Sequence, residues 1–159
     1  MFIQHSVHIN HPVAVCTEIL TTGPRKWFPR VSDQKVSAVG PRVVGVPVRK
    51  KVVVEVGAPV LAGHWTEIPV TWRATFPQKL FPVLVGKIEL APIDPSVTRL
   101  TVSGVYQPPL GKIGEQLNDV LMHNVAEGTV KDLAESIAQR VDTEALKAEK
   151  SLREGAVRP

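Results

Sequence analysis

A single cysteine, Cys16, stands in a chain of 159 residues. It cannot close an internal disulfide, so nothing in the thiol content points to an oxidising compartment. Aromatic residues are scarce, 5% of the chain, whereas a base-stacking surface needs several rings on one sheet face. No apolar run approaches the roughly eighteen residues of a membrane helix. Met1-Phe2-Ile3-Gln4-His5 lacks the basic-then-apolar order of a signal peptide. A cytoplasmic protein with no integral membrane segment is therefore expected. There is no large charge of one sign: the formal net charge is +4, and the basic residues are scattered through Arg25, Lys26, Arg42, Arg49, Lys50 and Lys51. That reads as a mildly basic solvated surface and not as a nucleic-acid partner.

Several chemistries lack their parts. There is no Gly-x-Ser-x-Gly elbow, and Cys16 on an apolar helix face reads as inert core. Of five histidines, His5 and His8 point to opposite faces of one strand. His5 and His11 are about 20 Å apart at strand rise, so no metal site is expected. Gly111-Lys112-Ile113-Gly114 leaves a strand through two prolines, which fits a tight strand-to-helix entry and neither a phosphate loop nor a nucleic-acid-binding loop between helices.

What is present is a 43% hydrophobic share, ample for one core. Ile3, His5, Val7 and Ile9 alternate with Phe2, Gln4, Ser6 and His8, the pattern of a strand with one buried face. Pro12 can occupy the first turn of a short helix, with Asn10 or His11 near the cap, carrying Val13, Val15, Cys16, Ile19 and Leu20. Pro24 to Pro29 predicts a second short helix or turn that places Trp27 and Phe28 inward. From Lys35 to Gln107, β-branched runs punctuated by Gly and Pro predict antiparallel strands at about 36–39, 48–56, 60–63, 66–76, 83–90 and 99–107. Turns are expected at Gly57-Ala58-Pro59, Pro77-Gln78 and Ile93-Asp94-Pro95-Ser96.

After Pro108-Pro109 a helical period holds to about Val141. The fold class is therefore α+β, with a curved antiparallel sheet of six to seven strands closed by the long last helix, because no crossover helices separate the strands. On that helix Leu110, Ile113, Leu117, Val120 and Leu121 share one side. Met122, Ala126, Val130, Leu133 and Ile137 fall nearly opposite. A straight helix would expose one stripe, so either it bends near Gly114 to Asn118 or another segment or chain covers it, a homodimer included. Residues 1–141 read as one domain, and 142–159 as a charged extension, helical or frayed.

The stretch Thr98-Arg99-Leu100-Thr101-Val102-Ser103-Gly104-Val105-Tyr106-Gln107-Pro108-Pro109-Leu110-Gly111, followed by Asp119 and His123, resembles bacterial members of the SRPBCC superfamily. These include START domains, pathogenesis-related plant proteins, aromatase/cyclases and lipid-transfer relatives. The resemblance implies a helix-grip fold with a ligand cavity between sheet and last helix, and it implies no particular activity or cofactor. Val70, Trp72, Ala74 and Phe76 share one strand face, and Leu100, Val102, Gly104 and Tyr106 share another. In a grip these faces line the pocket, with Tyr106 and His5 supplying polar contacts. Asp119 and His123, one helical turn apart beside Met122 and Ala126, could place a carboxylate behind an imidazole.

Three expectations follow. The first is carriage of an apolar or amphipathic small molecule, touching Trp72, Phe76, Tyr106, Met122, His123, Ala126 and His5. The second is a cyclase/dehydratase-type enzyme using Asp119, His123 and Tyr106. The third is a protein-interaction module that uses the exposed stripe of the last helix.

Overall fold

The computed structural model describes residues 1–22, 52–74, 83–107 and 119–155. Six strands and two helices appear in the order β1 (Phe2–Ile9), α1 (Val13–Thr21), β2 (Val52–Val56), β3 (Val60–Ala62), β4 (Trp65–Ala74), β5 (Val83–Asp94), β6 (Val97–Gln107) and α2 (Asp119–Gly155). The expected strand at 36–39, the short helix at 24–29, the turn at Pro77-Gln78 and the early helix stripe from Leu110 to Leu117 lie outside the described residues. So do the side chains of Val120 and Leu121.

All strand pairs are antiparallel and the sheet order is β1-β6-β5-β4-β2, with β3 also on β4. The alternation in β1 is realised: Ile3 and Ile9 are buried, His5 and Val7 half-buried, and Phe2, Gln4, Ser6 and His8 exposed. On the same sheet face lie Ile68 and Val70 of β4, Leu84, Ile88 and Leu90 of β5, and Leu100, Val102 and Tyr106 of β6, all buried. Helix α2 covers this face, lying chiefly against β1 and also against β6 and α1. Its buried positions are Ala126, Val130, Leu133, Ala134, Ile137, Val141 and Ala145, which recur every three or four residues, with Leu133 and Ala134 side by side, and so form one continuous stripe. The helix runs unbroken to Gly155, and its burial continues past Val141 to Ala145 before the exposed Leu146 and Leu152.

Three local expectations are corrected. Gly57-Ala58-Pro59 is not a reversal. β2 pairs with Val70 to Ala74, and β3 with Trp65 to Glu67, along the same edge of β4. The interruption falls opposite Pro69, whose carbonyl accepts from Gly57 N at 2.7 Å and whose ring nitrogen has no hydrogen to offer the same edge. Edge pairing therefore stops at the one residue of β4 that cannot donate. The reversal itself falls at Gly63, with φ 64°, a conformation glycine adopts without strain. The helix cap is also different. Pro12 occupies the N-cap position with no side-chain cap bond, and His11 is turned elsewhere. Finally, β5 and β6 are longer than expected and leave only Pro95-Ser96 to turn, with an irregular register between Pro92 and Asp94. A proline inside a strand is accommodated at such a bulge.

Asp94 stabilises that hairpin. Its Oδ1 accepts from Ser96 N at 2.7 Å and from Ser96 Oγ at 2.9 Å, and these bonds hold the carboxyl below the usual carboxylate range. The contribution is fully present above the unfolded-state pKa of about 3.9 and is lost as pH falls through the lower folded value. Asp94→Ala should lower the urea midpoint at neutral pH, and the gap to the parent should narrow as acid protonates the carboxylate. A gap unchanged by acid would mean that the carboxylate charge contributes nothing.

Candidate functional site

At the centre of the covered sheet face two glycines stand side by side: Gly86 of β5 is the cross-strand partner of Gly104 of β6. A Cβ on Gly86 would overlap the Ser103 carbonyl oxygen and come within 2.7 Å of Gly104 Cα. One on Gly104 would lie 2.8 Å from the Val85 carbonyl and 3.1 Å from Leu84 Cδ1. The two backbones approach closer than any other residue pair would permit. This pair lies between the fully covered rows of the core and the next inner row, where Tyr106 pairs with Leu84 and Leu84 with Trp72. Tyr106 and Leu84 are buried, at 4% and 6% exposure. Trp72 is only partly buried and packs against the rim of the core.

The direction of α2 can be read from its partners. Glu127, Gly128 and Lys131 line an open groove of about 360 Å³ with Gln4 and His5. Further along, Asp142 Oδ1 lies 3.0 Å from His11 Nε2. Moving toward the start of α2 therefore moves back along β1 toward Ile3 and Phe2. That end of the grip is where Tyr106, Leu84 and Trp72 lie.

His123 is the candidate residue with the most informative surroundings. Its Nε2 lies 2.9 Å from Glu127 Oε1, one turn onward. Its Nδ1 is shut off from solvent and has no hydrogen-bond partner among the described residues. Asp119, one turn before His123, is the carboxylate that the sequence places beside the ring; among the described side chains the carboxylate beside it is Glu127. The side chains of Asp119 and Met122, and Phe76 altogether, lie outside the described residues. Ala126 is buried at 6% exposure within the α2 stripe. His5 pairs with Val102, four residues along β6 from Tyr106 or about 13 Å at strand rise, and it lines the polar groove. Among the described residues, His5 and Tyr106 are not brought together.

His11, with Asn10 one of the two residues expected near the helix cap, is buried at 7% exposure. Besides Asp142, Glu149 Oε1 lies 3.7 Å from its Nδ1. Its carbonyl accepts from Thr98 Oγ1 at 2.7 Å. This polar knot ties the β1–α1 corner to α2 across 131 positions of sequence, a distance at which no local spacing gives a signal. Cys16, fully buried, has its thiol pKa pushed up mainly by desolvation, so the nucleophilic thiolate is withheld. Among the described residues no group of three or more His, Cys, Asp and Glu side chains is placed to hold a metal ion. None of their helices is long and apolar enough to cross a membrane.

No family model matches the chain, and no curated protein matches it. Solved structures do. A START superfamily protein from Mycobacterium smegmatis aligns with 15% identity over 89% of this chain and 97% of that one, with a TM-score of 0.55. A conserved protein from Geobacillus kaustophilus aligns with 14% identity over 88% and 94%, TM-score 0.53. Ara h 8.0201 aligns with 14% identity over 89% and 97%, TM-score 0.52. At these identities the likeness is one of fold. An antiparallel sheet gripping a long C-terminal helix makes this an α+β protein of the helix-grip fold.

Proposed function

We propose that the protein binds or carries an apolar or amphipathic small molecule between the sheet and α2, at the end of the grip bearing Trp72, Leu84 and Tyr106. The observation that carries this reading is Trp72. It belongs to the buried face, yet the packing that encloses Leu84 and Tyr106 beside it leaves this large ring partly uncovered. An aromatic wall beside apolar neighbours and a few polar groups has the composition of a small-molecule site. The partner is a hydrophobic small molecule, and the reading calls for no cofactor. Binding is favoured over acid–base catalysis because the polar inventory of this end is thin: His123, and Tyr106, the one tyrosine of the chain.

Trp72→Ala tests this. A fully enclosed tryptophan would cost roughly 3 to 5 kcal/mol on truncation, whereas a partly covered one costs less. Affinity for an apolar fluorescent probe should fall about tenfold, equivalent to about 1.4 kcal/mol, in a variant that remains folded. Probe titration beside urea denaturation separates the two effects, and unchanged affinity in a folded variant would remove this face from the site.

A further inference from the structure

Among the described residues, His123 Nδ1 is the buried side-chain nitrogen or oxygen without a hydrogen-bond partner. Such an atom is costly to leave unmade. The rest of the ring explains its state. A carboxylate only accepts, so the 2.9 Å contact to Glu127 Oε1 requires the hydrogen to sit on Nε2. In the neutral ring Nδ1 then carries a bare lone pair. The side chain spans the boundary of the fold: 34% exposed overall, with Glu127 at 55% on the outside, while Nδ1 has no solvent contact. His123 precedes the buried Ala126 and Val130 by three and seven positions, so it continues the stripe that faces the sheet. It also lies at the end of α2 that leads to Tyr106, Leu84 and Trp72, as the groove that Gly128 shares with Gln4 and His5 and the contact of Asp142 with His11 establish.

We infer that His123 is the polar anchor of the binding site and that its ligand is amphipathic, an alcohol or phenol that delivers its hydroxyl hydrogen to Nδ1. Glu127 is the positioning residue that keeps the hydrogen on Nε2. The inference rests on the binding proposed above and adds the chemical class of the ligand. A carbonyl compound of the same size brings an acceptor to an acceptor and is disfavoured, while an alkyl analogue leaves the nitrogen unpaired.

The test compares 1-naphthol, 1-methylnaphthalene and 1-naphthaldehyde as competitors of a fluorescent apolar probe on the unaltered protein. 1-Naphthol should bind about tenfold more tightly than 1-methylnaphthalene, the effect of one hydrogen bond, and the aldehyde more weakly than 1-naphthol. His123→Phe should keep affinity for 1-methylnaphthalene and lose the preference, and Glu127→Ala should reduce it. The nitrogen NMR signals of His123 supply a readout that needs no variant: Nδ1 should resonate as an unprotonated nitrogen and shift on adding 1-naphthol. Equal binding of all three compounds, or a preference that survives in His123→Phe, overturns the anchor while leaving the apolar site standing. Failure of all three to bind overturns both.

Discussion

Replacing Gly86 by alanine should destabilise the fold more than any other single methyl addition to the described sheet. The added carbon would overlap the Ser103 carbonyl and press on Gly104 Cα at 2.7 Å. Both obstacles are backbone in the centre of the sheet, where neither can rotate away. Overpacking of a well-filled site costs typically about 1–3 kcal/mol and sometimes more, and the upper end is expected here. Gly104→Ala should cost less, because one of its close contacts, Leu84 Cδ1 at 3.1 Å, is the end of a side chain that can adopt another rotamer. Urea denaturation of both variants gives the order. A Gly86→Ala protein as stable as its parent would mean that the close approach of β5 and β6 is not needed for the grip.

The second large effect is expected at Leu100. It has no exposure and sits between Val7 of β1 and Leu90 of β5 in the strand register, on the face that α2 covers. Leu100→Ala should cost about 2–5 kcal/mol through lost transfer energy and the cavity left behind. Its affinity for apolar probes should change little while the protein stays folded. Trp72→Ala should behave in the opposite way, losing more binding and less stability. The two substitutions divide one continuous apolar face into a part that holds the fold and a part that holds a ligand. If both variants lose stability and binding in the same proportion, the face is a single core.

The features legible in the sequence were those written in local periodicity. The strict alternation of β1, the apolar faces of β4 and of β6, and the 3.6-residue stripe from Ala126 to Ile137 each specify an element and its buried side. Together they lead to a sheet closed by the last helix. What escaped was set by pairings across the chain. Gly57-Ala58-Pro59 has turn composition, but its role follows from facing Pro69, 12 positions away, which only the register reveals. Gly86 and Gly104 each occupy an inward-facing position, a hint of close backbone approach, yet their adjacency depends on the β5–β6 register. His11 meets Asp142 and Glu149 through tertiary packing alone. His123 has carboxylates one turn away on either side, Asp119 and Glu127, and helical spacing treats them alike. The observed contact of Nε2 with Glu127 is what leaves Nδ1 as the ring nitrogen without a partner among the described residues.

Native mass spectrometry of the purified protein mixed with a total lipid extract tests the central claim most directly. The account predicts that one lipid-sized molecule is retained per chain, and that Trp72→Ala, still folded, retains markedly less. A spectrum containing only the bare chain, for parent and variant alike, would contradict it.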